Sequence, residues 1–586
     1  MIRPVDHPLL RYLLLVLSSL LAASCPRAPR TPNEVPDLRY TLSLLRSPAI
    51  ALKITLAASG SPDGVTRFVL GAGWGASDHP ERDLRDVSVT DDAGTRLPVE
   101  RASGQGPDHD LTTWTVHHAP GRRLAVTYVV GTSGELTIDQ ASYHRSIVHD
   151  HLVHLVGSNV FVVPEHLDAS TQRRVGLAWE GFTEVGWTFA SSFGTEPAAT
   201  LPVSLDELLD AVFIASDELA VTTRRLGAGT VAVATVGRWA FRPGELADLV
   251  AAIVGAERAF FADAGAPFYL VSAIPVGKPG AGLFSGSSIT DSFVMFLSPD
   301  TSLTGVSGLW LRGTLAHEHF HTWIGGLVHV EDADEWSTKW FTEGFTVFYG
   351  WRILVRAGLI TLEDHLMRLN RRVADYVMSP VRELPNAQIG ADTFWTDADA
   401  KNLPYARGDM AAILIDREIR RVSRDRRSLD DVMRQLVATA RHGGTVSTDT
   451  LLAAIVTATS PAFAATLRAA IVDGHLLAVT PDLFEPCLSG ELKQTARFEM
   501  GFDVERSLAA KRVLGLRAAS AASEAGLRDG QELTGWRFGG DDPDQEVTLQ
   551  IRDAGAPRDI VYHPRGEVRA LPVFAIHDRA ACGAVL

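Results

Sequence analysis

The sequence is short of cysteine, of positive charge and of long apolar runs, and each shortage removes a class of protein. Only three cysteines occur in 586 residues, which leaves room for one intrachain bridge at most. Lysine and arginine number 55 against 70 acidic residues, a formal charge of -15 that repels phosphate backbones and excludes nucleic-acid binding. No uncharged stretch reaches the ~20 apolar residues needed to span a bilayer, so an integral membrane protein is excluded as well. Tandem repeats and low-complexity tracts are also missing. What is present is ordinary: 46% hydrophobic and 21% charged residues, near the average for soluble globular chains, with apolar material for large cores and no case for long disordered tails. The length, about four times the ~150 residues of a typical domain, excludes a single small binding module and predicts two to four domains.

At the amino terminus Arg3 and Arg11 precede an uncharged run, Tyr12 to Ala23, that ends in small residues. Residues 1–25 therefore read as a secretory signal. Leu21-Ala22-Ala23-Ser24-Cys25 resembles a bacterial lipoprotein cleavage box, with Leu21 one place further out than the large aliphatic residue usually stands. Two outcomes follow, acylation at Cys25 or ordinary cleavage with release, and both place the mature chain in the periplasm or outside the cell. A lipid at Cys25 would be its one membrane contact. Pro26, Pro29, Pro32 and Pro36 make residues 26–37 an extended tether. In an oxidising compartment Cys487 and Cys582 either form a bridge around the C-terminal segment or remain two buried thiols.

The expected fold class is multidomain α+β. Residues 38–234 read as a β-rich domain, with strand patterns at Ile50–Leu56, Thr112–Val116 and Leu124–Val130 between Gly, Asp and Pro turns. Residues 235–480 turn helical: apolar residues recur at helical spacing from Glu245 to Ala264, a strand is expected at Phe268–Val276, and almost every segment from Leu309 to Leu477 has helical period. Residues 481–494 read as a connector and 495–586 as a small β domain. His144, His149, His151 and His154 cluster in the first domain, but their strand-like setting and the lack of matching cysteine or carboxylate spacing argue against a metal site there.

The chemistry concentrates in His317-Glu318-His319-Phe320-His321, an H-E-x-x-H motif in an apolar stretch from Leu309 to Trp323 that Gly325-Gly326 would end. Four residues advance a helix by about 400° and ~6 Å, so His317 and His321 leave one face and can share one Zn²⁺. Glu318 is placed to take a proton from water at the ion's open position. Glu343, the one acid among the aromatics of Trp340-Phe341-Thr342-Glu343-Gly344-Phe345, is the candidate third ligand, since a lone carboxylate in such a setting is costly unless it meets a cation. The competing reading makes Glu343 a first-turn residue favoured by the helix dipole. His319 faces elsewhere and is expected beside the site or in the core. Tyr405, before an apolar helix at Met410–Ile419, would present its phenol at the start of that helix.

His317 to Trp323, Trp340 to Phe348 and Tyr405 to Asp416 together resemble the glycyl aminopeptidase family of PDZ-containing gluzincin metallopeptidases. The resemblance implies a β-rich N-terminal domain, a thermolysin-like, mainly helical zinc peptidase domain and a C-terminal PDZ-like domain. It implies His317, His321 and Glu343 as zinc ligands, Glu318 as general base and Tyr405 as the phenol that stabilises the oxyanion, acting on peptide substrates. Gly186–Ala190 and Leu205–Phe213 look family-like with a packing role. Related aminopeptidases hold the substrate amine with a glutamate on a strand that corresponds here to Gly282-Leu283-Phe284-Ser285-Gly286-Ser287, where no glutamate stands. Gly282 and Leu283 would still offer backbone groups to a substrate strand, but an endopeptidase, or an inactive scaffold that only captures peptides, stays open beside the aminopeptidase. The stretch between His321 and Glu343 is also shorter than the family's, with Ile324 where a polar residue is usual. Met500-Gly501-Phe502-Asp503-Val504 resembles a PDZ carboxylate loop, which implies capture of a peptide C-terminus near Gly501 and Phe502, and Ala521–Gly530 resembles the PDZ helix and the turn after it.

Overall fold

A computed structural model describes residues 36–585 except 48, 72–78, 106–109, 133–144, 281, 283, 331–334, 539, 541 and 554. The signal segment, Cys25, nearly all of the tether, His144 and Leu283 lie outside the described residues. Contacts divide the chain into two compact units, one formed by residues up to Ala247 with Ala266–Thr301, the other by Asp248–Gly265 with Ser302 onward. Among the described residues no helix is long and apolar enough to cross a membrane.

The first unit is built from strands whose side chains alternate between core and surface, as in Arg123–Val130. A seven-stranded sheet runs in the order Ala198–Val203, Arg173–Glu180, Leu38–Leu45, Ala51–Ser59, Arg123–Val130, Leu84–Asp91 and Arg96–Leu97. Leu38–Leu45 is parallel to Arg173–Glu180 and antiparallel to Ala51–Ser59. Two buried tyrosines on this sheet satisfy their hydroxyls on backbone carbonyls, Tyr40 on Val162 at 2.9 Å and Tyr128 on Val160 at 2.8 Å. Trp179 stacks on Phe189 at 4.9 Å and meets Phe182 edge-on at 5.1 Å. His154 is fully buried against the edge of Phe296, while His151 is exposed and pairs with Asp217 at 2.8 Å. Among the described residues these histidines form no metal cluster.

A five-stranded sheet follows in the order Leu219–Leu226, Gly229–Val236, Phe268–Pro275, Ser292–Leu297 and Phe284–Ile289. Its three central strands are parallel and both edges antiparallel. The boundary drawn at 234/235 falls inside Gly229–Val236, because the hairpin of the two first strands pairs onward to Phe268–Pro275 and makes one continuous sheet.

Helix α1 (Pro243–Phe260) passes from the first unit into the second. The second unit then places α2 (Gly305–Phe320), α3 (Glu335–Arg356), α4 (Leu362–Met378), α5 (Ala398–Ser423) and α6 (Leu429–Arg441) around one core that includes Phe320, Phe341, Phe345, Tyr349 and Met410. Capping boxes start α4 at Thr361 with Asp364 and α6 at Ser428 with Asp431. Helices α3 and α5 cross at two glycines. A β-carbon on Gly408 would lie 1.8 Å from the Trp340 carbonyl oxygen, and one on Gly344 would lie 2.3 Å from Gly408 Cα, so nothing larger permits this approach.

The C-terminal part of the unit pairs Leu488–Phe498 with Arg565–Ile576 and adds a three-stranded sheet of Glu532–Arg537, Val547–Asp553 and Ala556–Tyr562. Met500, Phe502, Val513, Leu549 and Ile560 form its core. After Phe502 the chain enters a helix, Val504–Ala510. Cys487 and Cys582 are joined by a disulfide 95 residues apart in sequence, which resolves that pair in favour of the bridge.

Candidate metal centre

Three donor atoms from two helices converge. His317 is in the last turn of α2, and His321, the residue that caps it, keeps helical dihedrals (φ -59°, ψ -18°), so the four-residue spacing still brings both rings to one face. Their Nε2 atoms are 3.2 Å apart. Glu343 Oε2 lies 3.2 Å from His317 Nε2 and 3.4 Å from His321 Nε2. An ion held tetrahedrally at bonds of ~2.0–2.1 Å separates its donors by roughly 3.3–3.4 Å, the spacing found here. The residues present therefore fit a zinc ion, and two imidazoles with one carboxylate suit that metal. Glu343 is nine residues into α3, which removes the reading of it as a first-turn residue.

The surroundings prepare these donors. The His321 Nδ1 N–H donates to the Ile324 carbonyl at 3.0 Å, which leaves the Nε2 lone pair facing the site. Ile324 itself is fully buried, so a residue that looks wrong by side chain contributes its backbone. Lys339, one turn before Glu343, reaches Oε1 at 3.4 Å and Glu335 at 3.0 Å, leaving Oε2 to the imidazoles. Burial pushes the Glu343 carboxyl up, but the two imidazoles outweigh it and hold the group well below the usual carboxylate range.

Tyr405 differs from expectation. Pro404 does not start a new helix but lies inside α5, which runs unbroken from Ala398. Tyr405 thus sits beyond the second turn rather than at a helix start. Its ring faces that of His317 at an inclination of 29°, centroids 6.0 Å apart. Burial, then the charges of Glu343 and Glu318, hold its phenol well above the ordinary range, so it remains a hydrogen-bond donor. Glu318 is half-buried and close enough for its charge to act on both Tyr405 and His321. His319 points into the core, its Nδ1 2.6 Å from Glu257 Oε2 on α1. Burial pulls His319 down to about 3 and pushes Glu257 well up. Gly282 belongs to the first unit, exposed at φ 63° just before the edge strand Phe284–Ile289; Leu283 falls outside the described residues.

The cluster lies within the part of the chain that known proteins share. Residues 310–407 match the M61 glycyl aminopeptidase family. That glycyl aminopeptidase match spans both histidines, Glu343 and Tyr405, and with the three-donor cluster it supports a metallopeptidase. An aminopeptidase N family protein from Idiomarina loihiensis shares the fold, with TM-score 0.73 at 15% identity over 94% of this chain and 100% of that one. An M1 zinc metallopeptidase from Deinococcus radiodurans aligns at TM-score 0.43 and 17% identity over 75% of this chain and 94% of its own. A variant of the latter bound to a Tyr-Ser-Ala substrate aligns at TM-score 0.42 and 18% identity over 76% and 94%. No curated protein sequence matches the chain.

The sequence alone missed the Ile324 carbonyl, Lys339 and the Gly344–Gly408 crossing. Lys339 stands four residues before Glu343, a spacing that signals a helical ion pair; the other two carry no signal without the fold.

Proposed function

We propose that the chain is an exported zinc peptidase that cleaves short peptides in the manner of an aminopeptidase. The observation that carries this reading is the near-equal triangle of His317 Nε2, His321 Nε2 and Glu343 Oε2, with sides of 3.2–3.4 Å. A bound zinc ion supplies a Lewis acid and makes water nucleophilic near neutral pH. Glu318 accepts the proton of the attacking water and returns it to the leaving amine. The Tyr405 phenol, kept protonated, donates to the carbonyl oxygen as that atom gains charge. The disulfide between Cys487 and Cys582 agrees with an oxidising compartment, in keeping with the signal read at residues 1–25, whether Cys25 is acylated or lost.

Glu318→Gln keeps the three donors and removes the base. Metal content by elemental analysis should be unchanged while turnover of a short peptide falls by about 10²–10⁴; a variant that turns over at the original rate would remove Glu318 from this role, and a parent protein with metal but no turnover would favour the capturing scaffold. The stretch Gly282 to Ser287 has no glutamate, which favours a second reading, endopeptidase. Equal cleavage of a free and an N-acetylated peptide would select it. We read the C-terminal module as PDZ-like on its three-stranded sheet and the Ala521–Glu524 helix, with Gly501 and Phe502 as the place where a peptide terminus would be held.

A further inference from the structure

Lys339 on α3 is the one buried lysine among the described residues. An ammonium is rarely buried unless it is paired, and the groups that pair this one lie beside the metal donors. Its side chain is 11% exposed, with Nζ 3.0 Å from Glu335 Oε1 and 3.4 Å from Glu343 Oε1. Glu335, Lys339 and Glu343 follow one another at i,i+4 spacing along α3, so the three side chains share one face of the helix. Two aromatic rings close the ammonium in: Trp336 from the same helix at 5.1 Å, and Phe394 from Ala391–Thr396 at 5.2 Å.

The consequence lies in which oxygen Lys339 takes. Glu343 aims Oε2 at the two imidazoles, 3.2 Å and 3.4 Å away, and turns Oε1 to the ammonium. A carboxylate with both oxygens free can grip an ion with the pair. Here an ion moving toward Oε1 would also move toward a positive charge, so one oxygen is left to give. The triangle then supplies three protein donors, which suits a tetrahedral ion with one position open. Metals that prefer octahedral oxygen ligands, manganese among them, gain more from a two-oxygen carboxylate than zinc does.

We propose that Lys339 determines the metal preference of the site: by holding Oε1 it fixes Glu343 as a one-oxygen ligand and favours zinc over manganese. It acts through Glu343, so it is a positioning residue. The proposal rests on the triangle being a metal site and not on peptidase activity. Glu335 and the two rings serve it by keeping the ammonium in place, although Glu335 is 70% exposed and its own attraction for an ion is screened by water.

The test measures the Zn²⁺ and Mn²⁺ affinities of the metal-stripped full chain by competition with a chelating dye. Both ions carry the same charge, so the repulsion lost with the ammonium cancels in their ratio, and the orientation of Glu343 is what the ratio reads. Lys339→Met should lower the zinc-to-manganese affinity ratio by about tenfold, and Lys339→Leu gives the same reading where the methionine variant does not fold. Lys339→Gln, which restores an N–H donor, should recover part of the ratio. An unchanged ratio in the neutral variants overturns the proposal, including one in which both affinities fall by the same factor, as a merely structural lysine would give. A Lys339→Gln ratio as low as that of Lys339→Met overturns it too. A parent protein that binds neither ion would remove the metal site itself, and the proposal with it.

Discussion

At the scale of single residues, charge state follows from what each group is buried beside. Tyr405 is held protonated near two carboxylates, and its value to the reaction is as a donor. Tyr405→Phe should leave metal content intact and lower kcat by about 10²–10³, measured by steady-state kinetics beside elemental analysis. His154 shows the same logic without chemistry: burial pulls it down to about 3, and neither ring nitrogen has a partner among the described residues. Its folded pKa lies below the ~6.5 of the unfolded chain, so below that pH the unfolded state binds a proton that the folded state refuses. Stability from this residue is complete above ~6.5 and falls by about 1.4 kcal/mol per unit as pH drops toward 3. His154→Phe should remove that acid slope and hold or raise stability at pH 7, read from urea unfolding at several pH values. His317, Glu318 and His321 were legible in the sequence because the motif itself encodes helical spacing, and Glu343 was a candidate because it is the one acid among aromatics. The Ile324 carbonyl was not, since every residue has a carbonyl and only the turn after α2 aims this one at His321.

Elements position what residues supply. Helix α2 carries two imidazoles and α3 the carboxylate, and the crossing of α3 with α5 at Gly344 and Gly408 keeps Tyr405 beside them. Gly408→Ala would drive a methyl group into the Trp340 carbonyl, and it should destabilise the second unit by at least about 1–3 kcal/mol while lowering activity. Thermal unfolding with kinetics on the surviving folded protein would check both. Periodicity marked the elements well where it was strong: Glu245–Ala264 and Phe268–Val276 correspond to Pro243–Phe260 and Phe268–Pro275. It failed at Pro404, which stands seventh in α5, past the turn whose N–H groups have no partner in the helix, so one helical hydrogen bond is given up and a residue read as a boundary lies within α5.

For the whole molecule, the strongest covalent constraint is the bridge between Cys487 and Cys582, which closes a loop of 95 residues in sequence. Reduction should cost about 4–5 kcal/mol in the chain-entropy account, seen as a lower unfolding midpoint for the second unit in denaturant with and without reductant. It should leave the metal donors assembled, because none of them lies in the closed loop. Composition and patterning determined by themselves that this is a large α+β chain and that one short helix would offer two imidazoles and a base, since those properties depend on residues near one another in sequence. Only tertiary structure decided that Glu343 completes the triangle and that Tyr405 stands beside it. Each of those meetings spans tens of residues or more and depends on how helices cross, a matter of packing that no local spacing records.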